Sequence, residues 1–106
     1  MVRLLVTYTG NVQGVGFRWK VLNISKAYKI TGYVKNLSTG DVEILVEGKR
    51  EIVVKMIEEI DQQLKGFWRQ KGEEFKCGNV HYEKFEINST REGYRVIATR
   101  GSVIYF

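Results

Sequence analysis

The sequence predicts an α+β sandwich, an antiparallel sheet with two helices on one face, and three observations lead to it. Apolar residues alternate over 2–8, 31–37 and 41–47, they recur at helical spacing over 18–29 and 50–65, and glycines fall between these stretches.

In the first stretch Val2, Leu4, Val6 and Tyr8 alternate with Arg3, Leu5, Thr7 and Thr9, the pattern of a strand with one buried face. Gly10, Gly14 and Gly16 then interrupt it with a loop. Over 18–29, Val21, Ile24 and Tyr28 lie three and four residues apart while Lys20, Asn23 and Lys26 fall elsewhere, which predicts an amphipathic helix. Residues 31–37 and 41–47 flank Ser38, Thr39 and Gly40 and read as a hairpin. In its second strand Val42, Ile44 and Val46 face one way, Glu43 and Glu47 the other. Val53, Met56, Ile57, Ile60 and Leu64 make a second helical stripe over 50–65, with Gly66 as its stop. Residues 65–78 are rich in glycine and charge and read as a polar connection. Strands are expected at 80–89 and 94–99, and a further short one at 102–105. Two helices on one face of the sheet bury both stripes, so this order gives a ferredoxin-like split βαβ sandwich with an extra C-terminal strand.

A chain of 106 residues supplies one core and not two, so 1–106 is expected to form a single domain. No apolar run approaches the roughly 20 residues that cross a bilayer. The apolar start is short and lacks a small-residue cleavage site, so it reads as a strand and not as a signal peptide. Cys77 is the only cysteine, which excludes an internal disulfide and suits a reducing, cytoplasmic setting. The net charge of +5 favours anionic partners, whether phosphorylated metabolites, nucleic acid or an acidic surface, and does not choose among them.

The loop Gly10-Asn11-Val12-Gln13-Gly14-Val15-Gly16-Phe17-Arg18 runs from the end of a strand into the start of a helix. Free N–H groups and the positive end of the helix dipole lie at such a start. Glycines let consecutive amides converge on one anion, and Arg18 can add a permanently charged, bidentate grip on phosphoryl oxygens. The same glycines also suit a plain tight turn. The loop lacks the lysine and Ser/Thr of a Walker loop and the spacing of GxGxxG, so no nucleotide cofactor is expected. Asn36 ends the strand before the hairpin turn. The second strand of a split βαβ unit lies beside the third and close to the first, so Asn36 could stand near the loop and hold a water. Taken by itself, it reads more readily as a turn asparagine.

Together GNVQGVGFR at 10–18 and GYVKNLSTGDVEILVEG at 32–48 resemble the acylphosphatase family. The family pattern is G-x-V-Q-G-V-x-F-R followed by G-aromatic-V-x-N-x-x-x-G-x-V-x5-G, and the separation of Arg18 from Asn36 also agrees. The resemblance covers about residues 3–60 closely. It implies hydrolysis of acyl phosphates to a carboxylate and orthophosphate without a metal, a cofactor or a covalent phosphoenzyme. It implies that Arg18 binds the phosphate with main-chain amides of Asn11, Val12, Gln13, Gly14, Val15, Gly16 and Phe17. Asn36 would position the attacking water. Two departures are visible: Tyr8 stands where the family often has an aliphatic residue, and Gly16 occupies a variable position, which leaves the acyl preference open.

His81, the only histidine, makes no recognisable zinc set with Cys77. Cys77 has no catalytic histidine pattern, and Asp41, Glu43 and Glu47 fit a solvated strand better than an acid–base pair. Trp19, Phe67 and Trp68 read as core or surface aromatics. The partner expected is a small acyl phosphate, with no nucleic acid and no membrane, on a monomer or a weak dimer. A nucleic-acid-binding module of similar fold is the alternative, but no RNP1-like run is present. A third reading is a phosphate-binding scaffold with little catalysis, against which stand Arg18 and Asn36. The short chain is expected to be a free-standing enzyme and not a fragment of a larger one.

Overall fold

The computed structural model describes residues 1–14, 16–79 and 82–88. The elements are β1 (Val2–Gly10), α1 (Phe17–Ser25), β2 (Thr31–Asn36), β3 (Val42–Gly48), α2 (Arg50–Gln63), β4 (Trp68–Lys76) and β5 (Phe85–Asn88). The five strands form one sheet in the order β4-β1-β3-β2-β5. β1 and β3 are neighbours and β2 lies beside β3, as the split βαβ reading requires.

Alternation decides which face of the sheet is covered. Leu4, Val6 and Tyr8 of β1, Val34 of β2, and Val42, Ile44 and Val46 of β3 are all buried. They meet Phe17, Val21 and Ile24 of α1 and Val53, Met56, Ile57 and Ile60 of α2 in one core cluster. Removing each such side chain from water contributes about 1.5–3 kcal/mol, which is what holds both helices on the same face.

α1 ends earlier than its periodicity predicts. After Ser25 the chain tightens into three-residue hydrogen bonds, Ala27 N to Ile24 O at 3.1 Å and Tyr28 N to Ser25 O at 3.0 Å. Tyr28 still packs against the core, so its place in the apolar stripe holds.

Two strand expectations are corrected. The polar connection expected over 65–78 contains β4, which pairs antiparallel with β1 from Arg3↔Lys76 to Gly10↔Trp68. Most of β4 is exposed, so its residues need no apolar alternation and its backbone pairing carries the strand. Within the span expected as a strand at 80–89, residues 82–84 are irregular and the strand is β5, Phe85–Asn88, which runs parallel to β2 in a sheet otherwise antiparallel. The reason is the crossing of the chain from one sheet edge to the other between Lys76 and Phe85. The crossing is tied down on the face away from the helices. Glu47, expected on a solvated strand, is instead buried, and accepts from Arg3 Nε at 2.8 Å, Thr31 Oγ1 at 3.0 Å and the Tyr82 backbone N–H at 2.9 Å. Gly32 N then donates to Lys84 O at 3.0 Å and starts the parallel pairing. The strands expected at 94–99 and 102–105 lie outside the described residues.

Candidate active site

Sheet register brings the two sequence motifs to one end of the molecule. Tyr8 of β1 pairs with Val42 of β3, and Val42 pairs with Asn36 of β2. The exit of β1 and the end of β2 are therefore two strands apart, roughly 10 Å. Asn36 shares the helix-covered face with Val34, and α1 packs against β2.

The loop leaves β1 at Gly10, where φ is 128°. A Cβ there would lie 2.8 Å from Arg69 N and 2.9 Å from Phe67 O, so the approach of β4 demands glycine. Val12 and Phe17 are both 1% exposed and anchor the loop at its two ends, while Gly14 and Gly16 between them are exposed. Gly14 and Gly16 have φ of 77° and 78°, in the left-handed region, and nothing stands within 4 Å of a Cβ built on either. The torsion, not crowding, requires glycine here. Val15 lies outside the described residues.

Gly16 is the N-cap of α1, with no side-chain cap, and the first turn carries no acidic residue. The intrahelical ladder begins with Lys20 N to Gly16 O at 3.0 Å, so helix geometry leaves the N–H groups of the preceding residues directed out of the helix end. The helix thus presents partial positive charge without a carboxylate of its own to occupy it. Arg18 is half-buried in this first turn. Burial lowers its pKa from the ordinary arginine value, yet a guanidinium remains protonated at neutral pH.

The hairpin turn opposite is closed by Leu37 N to Asp41 O at 2.8 Å and Gly40 N to Leu37 O at 3.1 Å. The Gln13 carboxamide reaches it, donating from Nε2 to Leu37 O at 2.8 Å and to Asp41 O at 2.9 Å. Sequence reading treated Gln13 as a backbone donor only and missed this bridge, whose partners are 24 and 28 residues away. Asn36, immediately before the turn, is half-buried, and its Oδ1 is buried with no hydrogen-bond partner among the described residues.

Cys77 is exposed, and His81 lies outside the described residues. No group of three or more His, Cys, Asp or Glu side chains among the described residues is placed to hold a metal ion. No helix among them is long and apolar enough to cross a membrane.

The acylphosphatase family profile matches residues 4–87. A protein described as acylphosphatase from Methanospirillum hungatei JF-1 is 35% identical over 100 residues, which cover 94% of this chain and 98% of that protein. The fold is similar to the crystal structure of an acylphosphatase from Bacillus subtilis, with a TM-score of 0.76, 28% identity, and coverage of 83% of this chain and 99% of that one. An acylphosphatase structure from Coxiella burnetii aligns with a TM-score of 0.72 and 31% identity, over 82% of this chain and 92% of the other. With both motifs inside the matched span and the match running through most of its length, the chain belongs to the acylphosphatase family.

Proposed function

We propose that this hydrolase cleaves the carboxyl-phosphate anhydride bond with Arg18, Asn36 and the loop amides as its working parts. Arg18 and the backbone N–H groups of residues 11–17 hold the phosphoryl oxygens, and Asn36 Oδ1 accepts a hydrogen bond from the attacking water. Water oxygen bonds to phosphorus, the bond from phosphorus to the acyl oxygen breaks, and its electron pair leaves on the carboxylate. The water proton passes to a phosphoryl oxygen, giving orthophosphate.

Such a sparse site suits this substrate. The departing acid has a pKa of about 4, so the leaving group needs no protonation near neutrality. What remains is alignment of the water and stabilisation of charge on the equatorial oxygens, which fixed dipoles and a guanidinium supply. The observation that carries the reading is the buried Asn36 Oδ1, an acceptor with no hydrogen-bond partner among the described residues, at the end of the sheet where the glycine loop leaves β1. A carbonyl oxygen left without a partner costs about 1–3 kcal/mol, a cost recovered once the attacking water reaches it and donates to it.

The test is turnover of benzoyl phosphate in the presence of EDTA by wild type, Arg18→Ala and Asn36→Ala. Wild type is expected to turn over unhindered by the chelator, with kcat falling about 10²–10³-fold in each variant. Loss of activity in EDTA, or either variant matching wild type, counts against the assignment. A pH profile governed by one side-chain base near neutrality would count against the proton route.

A further inference from the structure

The Gln13 carboxamide spends both its hydrogens on one turn, at 2.8 Å to Leu37 O and 2.9 Å to Asp41 O. Asp41 O also accepts from Leu37 N at 2.8 Å, so the turn is closed from within and gripped from the loop through the same carbonyl. Gln13 sits where the loop leaves the core, between buried Val12 and exposed Gly14.

We infer that Gln13 is a positioning residue that couples the phosphate loop to the turn of Asn36, so that phosphorus and attacking water share one rigid frame. This rests on the function proposed above. In that reading the phosphoryl group is held by the loop and α1, whereas the water is held by the end of β2. These are different pieces of chain, and an in-line displacement tolerates little relative movement between them. Arg18 and the amides bind phosphate whether or not the turn moves with them. Loss of the clamp therefore weakens the chemical step and leaves phosphate affinity nearly intact.

Two substitutions in the full chain separate these effects. Gln13→Met keeps the length of the side chain and removes its donors; Gln13→Asn keeps the donors but is one methylene too short to span both carbonyls. For each, kcat on benzoyl phosphate is expected to fall about 10–10²-fold. The inhibition constant of inorganic phosphate should change by less than about 2-fold, the signature of an interaction realised in the chemical step and not in ground-state binding. Hydrogen exchange at the Leu37 and Gly40 amides should accelerate in both. An unchanged kcat in either folded variant overturns the inference, as does a fall in kcat matched by an equal loss of phosphate affinity. If wild-type turnover depends on Arg18 and Asn36 while the Gln13 variants are normal, only the clamp fails. A wild type with no turnover fails the underlying reading instead.

Discussion

Tyr8 donates its phenolic hydrogen to Asp61 Oδ1 at 2.8 Å, joining the last buried position of β1 to α2. The ring lies 5.4 Å from that of Phe17 and 5.6 Å from that of Trp68, so one residue ties together the sheet, both helices and the start of β4. Asp61 also pairs with Lys71 Nζ on β4, and its backbone oxygen accepts from Trp68 Nε1 at 3.3 Å. The family often has an aliphatic residue at this position, and here a tyrosine meets an acidic partner. Burial, followed by the hydrogen bond and charge of Asp61, pushes the phenol above its ordinary range, so it stays a donor at all physiological pH.

Tyr8→Phe keeps the ring and removes the donor. Asp61 retains Lys71, so stability is expected to fall by about 1–2 kcal/mol, seen as a lower urea midpoint with an unchanged slope. Turnover should be close to wild type, since the loop anchors Val12 and Phe17 keep their packing. A loss of activity without a loss of stability would show that the phenol acts on the site itself.

Gly32 and Gly14 test two different demands for glycine. A Cβ on Gly32, at φ 135°, would stand 1.8 Å from Leu45 O, inside the hairpin. Gly32→Ala should therefore cost at least about 3 kcal/mol and yield little folded protein. Gly14 has open space around it and only its torsion to lose. Gly14→Ala should cost about 1–2 kcal/mol while turnover drops about 10-fold or more as the loop amides turn away. Parallel urea titrations and benzoyl phosphate assays distinguish the two outcomes.

Glu86 of β5 is buried, and its Oε2 has no hydrogen-bond partner among the described residues. Burial raises its pKa above the ordinary carboxylate value, with Lys84 opposing in part. The unfolded chain releases this proton in the ordinary range and the folded chain holds it to higher pH. Between those two points the folded state binds more protons, so stability falls as pH rises through the window and stays low above it. Glu86→Gln should flatten that slope and raise the urea midpoint at neutral pH. A slope identical to wild type would mean the carboxyl ionises as it does in the unfolded chain.

Much of this was legible in the chain itself. The alternation of Leu4, Val6 and Tyr8 and of Val42, Ile44 and Val46, with the stripe from Val53 to Ile60, encodes the covered face of the sheet and the helices that cover it. Periodicity is a local property, readable wherever one face is buried. The glycine loop was legible for the same reason, since left-handed torsions at Gly14 and Gly16 restrict the residue type locally.

β4 was not legible, because an exposed edge strand is held by backbone pairing to β1, which leaves no pattern in its side chains. Nor was the parallel placement of β5, which follows from the crossing between the two sheet edges, a path along which Glu47 gathers Arg3, Thr31 and Tyr82 from three separate segments. The partners of Gln13 belong with these. A glutamine looks the same whether its amide faces water or two carbonyls 24 and 28 residues on, and folding β1, β2 and β3 into one register is what brings those carbonyls within its reach.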